Sequence, residues 1–143
     1  AGGQFTEGNP DHFGSGLSIE TSGKFKEELL LDEGQFDCVR EVAWTTFGGI
    51  YIRRDVFDKI GNFSAGYEWT YNRDVDYCLR AREAGFKIYQ VPVKLLHYES
   101  RDNKQIKAQD PNKVKAEMRN LETLKSKWAN SEFYKTLDEV VND

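Results

Sequence analysis

Cysteine is scarce in this sequence: Cys38 and Cys78 are the two among 143 residues. They form no CxxC and stand at no Cys/His ligand spacing, which argues against a disulfide framework and a structural zinc site and fits a reducing, cytoplasmic setting. No apolar run approaches the roughly 18 to 20 residues that a membrane-spanning helix needs. The N-terminus lacks the basic-then-apolar order of a secretory signal, so a soluble chain is expected. No basic block is present: 20 basic residues face 24 acidic ones, for a net charge of −4. Nucleic acid, whose recognition needs a positive footprint, is set aside as a partner. Internal repeats and low-complexity tracts are also missing, which argues against a solenoid. The length suits one domain with a core of its own and is short for two.

The segment from Ala1 to Gly23 is rich in Gly, Ser, Asn and Asp, as in "GGQFTEGNPDHFGSG", and reads as loop. A loop that long opening a compact domain suggests that the chain starts in mid-domain. Cys38, Val39, Val42, Trp44 and Thr45 favour a strand, and "FGG" permits a close backbone approach before "IYI". Asp55 is expected to begin a short helix with Val56, Phe57 and Ile60 on its apolar face and Gly61 as its stop. An aromatic loop, "NFSAGYEWTYN", follows. Asn72 or Asp74 can cap the next helix, whose Val75, Cys78, Leu79 and Arg82 stem share one side and which Gly85 ends. "FKIYQVPVKLL" reads as extended, with Pro92 at an edge or bend. Asp110 and Pro111 pair as N-cap and first helical residue. The stripe Val114, Met118, Leu121, Leu124 and Trp128 predicts an amphipathic helix to about Ala129. A second short helix is expected over 132–141. The fold class is therefore α/β, a mixed sheet with flanking helices and a C-terminal helical tail.

Several residues could carry chemistry. Asp74 and Asp76 stand two apart at a helix start, where they diverge by about 200° and cannot share an ion unless the first lies outside the helix. Both have a plain use at the positive end of a helix, with Asp76 also in reach of Arg80 one turn on. His97 ends an apolar segment, "VKLLHYES", where it can be a metal ligand or a hydrogen-bonded structural residue. His12, in a Gly-rich loop with no strand before it, makes no phosphate loop. Trp69 and Tyr71, in the loop, can stack on a sugar; Trp44 fits a core better.

The order of these pieces, "FGGIYIRRDVFDKIGNFSAGYEWTYNRDVDYCLRAREAGFKIYQVPVKLLHYES", resembles the C-terminal half of the catalytic domain of family 2 glycosyltransferases, which have a GT-A, nucleotide-diphospho-sugar transferase fold. The likeness runs from about Asp37 to Ser100. It divides the chain into a Gly-rich region at 1–36, an acceptor-side α/β core at 37–100 and a helical tail at 101–143. It implies a transferase that moves a sugar, with inversion, from a nucleotide-diphospho-sugar to a hydroxyl on a saccharide or lipid-linked acceptor, the usual setting being cell-envelope or capsular polysaccharide synthesis. Asp74 matches the general base of the family's acidic pair. His97 matches a histidine that helps hold the divalent cation, manganese or magnesium, on the donor diphosphate. The loop Tyr67 to Tyr71 would line the acceptor side, with Trp69, Tyr71 and Arg73 as acceptor-binding residues, and Asp76 and Arg80 would support the helix.

The chain departs from the family twice. Arg73 stands where the family has glutamate, and a guanidinium there is expected either to depress the pKa of Asp74 or to bind an anionic acceptor. The nucleotide-binding half would lie before Ala1, so this chain is not expected to transfer sugar by itself; any membrane association would come through the full-length protein. A non-catalytic transferase-like module for binding or assembly is the alternative. A nucleotidyltransferase of related fold fits less well, since no Gly-rich basic loop opens the chain. The helical tail packs on the sheet or a neighbouring domain, or presents an apolar face through which the chain self-associates.

Overall fold

The computed structural model describes residues 4–6, 17–19, 25–27, 37–45, 47, 49–69, 72–93, 95–97 and 110–134, and in the strands at 4–6, 17–19, 25–27 and 95–97 the backbone alone. The architecture is mixed α/β. Strands β1 (Gln4–Thr6), β2 (Leu17–Ile19), β3 (Phe25–Glu27) and β4 (Arg40–Trp44) precede helices α1 (Arg54–Ile60) and α2 (Arg73–Glu83). Strands β5 (Ile88–Gln90) and β6 (Leu95–His97) follow, and then the long helix α3 (Pro111–Trp128). One sheet has the antiparallel order β3-β2-β4-β5, and β1 pairs with β6 in parallel.

The first residues depart from the loop reading. Two short strands, β1 and β2, fall within the stretch read as loop, and β3 falls in the rest of the Gly-rich region to 36. Each has three residues, too few for an alternating pattern to show, and β1 and β2 pair with strands distant in sequence. By contrast β4 forms where the β-branched and aromatic residues put it, and it pairs Arg40 with Gln90 of β5, their side chains joined by a 3.0 Å hydrogen bond. "IYI" carries no strand; residues 50–53 have no regular element. The extended run after Gly85 is split by Pro92, as expected of a residue that cannot donate to a ladder.

Helix α1 begins one residue before Asp55 and stops at Gly61, whose φ of 73° suits glycine and whose N–H donates to the Phe57 carbonyl. Helix α2 spans the expected residues, but neither side chain offered as its cap acts as one. Asn72 occupies the N-cap position in a left-handed conformation with no side-chain cap bond, and Asp74 lies inside the first turn. Helix α3 does have the expected cap: the Asp110 carboxylate accepts from the Asn112 N–H at 2.9 Å, with Pro111 behind it.

The face of α3 that turns inward differs from the expected stripe. Lys113, Ala116, Asn120, Leu124 and Trp128 are buried, whereas Val114, Met118 and Leu121 are 46, 62 and 45% exposed. The two stripes agree at the C-terminal end and diverge before it, where the middle of α3 meets the backbone of Glu68 through Asn120 and Lys113 lies against the Trp69 ring. Residues 132–134 begin a further helical turn, and the rest of the second tail helix lies outside the described residues. The core joins β4, α2, α3 and the loop between helices: Ala43, Leu79, Tyr67, Leu124, Trp128 and Tyr134, with Trp44, Val75 and Phe133 against it. Trp44 is thus partly buried and packs against the core, in keeping with its sequence context.

Candidate functional site

Helix α2 carries its two aspartates into different surroundings. Asp76 is fully buried. Its Oδ1 accepts from Lys127 Nζ at 2.6 Å, Trp128 Nε1 at 2.9 Å and the Tyr67 hydroxyl at 3.1 Å. Its Oδ2 accepts from the Ser64 hydroxyl at 2.6 Å and Arg80 Nε at 3.2 Å. Burial alone would raise its pKa, but the donors Lys127, Ser64 and Trp128 outweigh it and hold the carboxyl below the ordinary value. Burial and the adjacent Asp76 charge drive the Tyr67 hydroxyl the other way, far above its usual range.

Asp74, two residues earlier, is half-buried on another side of the helix. Its Oδ1 accepts from the Val75 N–H at 2.9 Å. Burial raises its pKa and outweighs the backbone N–H groups of Val75, Asp74 itself and Phe47, which lower it. The expected lowering by Arg73 does not occur. The guanidinium turns away to the loop, where Nη2 donates to the Tyr67 carbonyl at 2.7 Å. Its Nε is buried and, among the described residues, has no hydrogen-bond partner.

Arg80 is more than a helix support. Besides Asp76 it donates to the carbonyls of Ile60 at 2.7 Å and Asn62 at 2.8 Å, tying the end of α1 to α2, and its guanidinium lies 4.9 Å from the centre of the Tyr77 ring. Tyr77, Phe47 and Phe63 form an aromatic cluster with centroids 4.9 to 5.8 Å apart. Cys78 is buried, and burial pushes its thiol up to about 12, which removes it as a nucleophile at neutral pH.

The loop divides between core and surface. Tyr67, expected on the acceptor side, is 3% exposed and belongs to the core. Trp69 is 49% exposed, with the Lys113 ammonium 5.3 Å from the centre of its ring. Tyr71 lies outside the described residues. His97 closes β6 opposite Thr6 of β1, with its side chain outside the described residues. No three His, Cys, Asp or Glu side chains that could hold a metal converge among the described residues, so these donors by themselves do not make such a site.

The tail supplies what sequence reasoning missed. Lys113, Arg119, Asn120, Lys127 and Trp128 all reach the loop or Asp76 from α3. Only the buried end of the apolar stripe hinted at it, since contacts across some fifty residues leave no local pattern. A second feature lies beside α2, an open cavity of about 570 Å³ lined mainly by apolar side chains, among them Ile50, Ile52, Val56, Phe86, Ile88 and Val93. No protein-family model, curated protein or solved structure matches this chain.

Proposed function

We propose that the chain is the acceptor-side part of a glycosyltransferase catalytic domain of GT-A fold, transferring a sugar with inversion from a nucleotide-diphospho-sugar to a hydroxyl of a saccharide or lipid-linked acceptor. The observation that carries the reading is the contrast between the two aspartates. Asp76 is saturated by donors and held ionised. Asp74, fixed at the start of α2, has its proton affinity raised by burial. A pair of carboxyls whose surroundings push their pKa values apart assigns the roles: Asp76 builds, Asp74 accepts protons.

In the step proposed, the acceptor oxygen bonds to the anomeric carbon as its proton passes to Asp74. The bond from that carbon to the diphosphate oxygen breaks, and the diphosphate leaves with the electron pair. A divalent cation, manganese or magnesium, would neutralise charge on that leaving group; His97 as one ligand rests on the resemblance. Trp69, Tyr71 and Arg73 are the acceptor-facing residues in this reading, which places the protein in the cytoplasm. The apolar face of α3 at Val114, Met118 and Leu121 is the surface through which the chain would self-associate.

The test is Asp74→Asn in the full-length protein, assayed against a panel of nucleotide-diphospho-sugars. Transfer is expected to fall by about 10²-fold or more, the usual worth of a positioned base, with no loss of thermal stability. Arg73, in place of the family's glutamate and bound to the Tyr67 carbonyl, favours the second reading, a non-catalytic binding or assembly module. Transfer that survives Asp74→Asn removes Asp74 as base; transfer absent from the wild type as well selects the module.

A further inference from the structure

Trp69 holds a backbone conformation that a bulky residue seldom adopts, with φ at 55°. Such a conformation persists only where the surroundings over-determine it, and here they come from one helix. Asn120 of α3 is buried, and its carboxamide grips the residue before Trp69 on both backbone groups: Oδ1 accepts from the Glu68 N–H at 2.8 Å and Nδ2 donates to the Glu68 carbonyl at 2.6 Å. The carboxamide thereby pairs with Glu68 as a neighbouring strand's peptide group would. Arg119 adds a two-pronged contact to the Glu68 carboxylate at 2.6 and 2.8 Å, and Lys113, two turns earlier on α3, lies against the Trp69 ring. The indole is held from the backbone side and from the ring side by the same element, and half of its surface remains open.

We propose that Asn120 is a positioning residue, which sets Trp69 as a stacking platform for the apolar face of a pyranose ring on the acceptor side. This rests on the acceptor-side reading of the loop. The chemistry fits: an indole offers a flat, rigid apolar face, and the Lys113 cation fixes the ring by attraction to its π-system. Arg119 serves as the outer brace, exposed and less decisive.

The experiment labels the full-length protein with 5-fluorotryptophan; this chain contributes the sites Trp44, Trp69 and Trp128, and single Trp→Phe substitutions at the three assign their fluorine signals. Asn120→Ala, and Asn120→Asp as a variant that keeps the acceptor for the Glu68 N–H, are expected to shift and sharpen the Trp69 signal while those of Trp44 and Trp128 stay in place. Arg119→Ala, at the surface, gives a smaller change of the same kind and guards against a misfolded Asn120 variant. Titration with methyl pyranosides of gluco, galacto and manno configuration is expected to move the wild-type Trp69 signal saturably for at least one sugar, and Asn120→Ala to weaken that binding by roughly fivefold. A Trp69 signal indifferent to both Asn120 variants and to Arg119→Ala overturns the clamp. A wild-type signal that no pyranoside moves overturns the platform. Neither readout depends on transfer, so failure of Asp74 as the base leaves this result standing, and the reverse holds as well.

Discussion

Asp76 is where the stability of this protein is concentrated in one side chain. A carboxylate with no exposed surface costs free energy unless each lone pair is used, and here donors from the loop, α2 and α3 use them. Replacing it by asparagine keeps the shape but takes the charge away from Lys127 and Arg80 and faces some donors with an amide N–H₂. Asp76→Asn is therefore expected to lower the unfolding free energy at neutral pH by about 3 kcal/mol, the usual penalty for breaking a buried pair, read from the urea midpoint. A change within error would show that water or a neighbouring group replaces the carboxylate. Asp74 is the reverse case. Its carboxyl is burdened by burial and has a backbone contact that an asparagine Oδ1 can keep, so its substitution is expected to cost activity and spare stability.

At the scale of elements, α3 is the brace of the candidate site. Its C-terminal end contributes Leu124 and Trp128 to the core and Trp128 Nε1 to Asp76, while its middle holds the loop through Asn120 and Arg119. Trp128→Phe keeps most of the apolar volume and removes the one N–H. A destabilisation of about 1.5 to 3 kcal/mol is expected, the range for a hydrogen bond to a charged group. Equal stability of the two proteins in denaturant would mean that the indole acts by packing alone. The exposed apolar side of α3 and its polar buried side have one cause. Glu68 presents both backbone groups to the helix, and an N–H and carbonyl partly withdrawn from water call for polar partners, so Asn120 faces inward and Met118 outward.

For the whole molecule, the two aspartates give opposite dependences on pH. The folded-state pKa of Asp76 is lowered, so the stability it contributes is present above the ordinary value of 3.8 and is lost as pH falls through the lower folded value. That of Asp74 is raised, so folding takes up a proton in a window just above 3.8 and stability declines as pH rises through that window. Thermal unfolding across pH 3 to 7 should show the advantage of Asp74→Asn over wild type shrinking as pH falls towards 3.8. The deficit of Asp76→Asn should shrink only below that value. The other carboxyls titrate alike in all three proteins and cancel in the differences. Parallel curves for wild type and both variants would refute these assignments.

The sequence by itself determined the elements whose signals are local. Gly61, the Asp110–Pro111 pair and the strand at 40–44, with Val42 and Trp44 in it and Val39 and Thr45 beside it, follow from steric limits and short-range preferences, and they stand where they were expected. It also singled out Asp74 and Asp76, because two carboxyls at a helix start are visible as letters. Tertiary structure alone decided which of the two is saturated, that Arg73 turns to the Tyr67 carbonyl, that Tyr67 is core, and which face of α3 is buried. Most of these outcomes depend on groups far apart in the chain, such as Asp76 with Lys127 or Glu68 with Asn120, and the Arg73 contact, six residues long, depends on how the irregular loop is packed. Burial and hydrogen-bond satisfaction are properties of the packed whole, so no spacing within one segment can encode them.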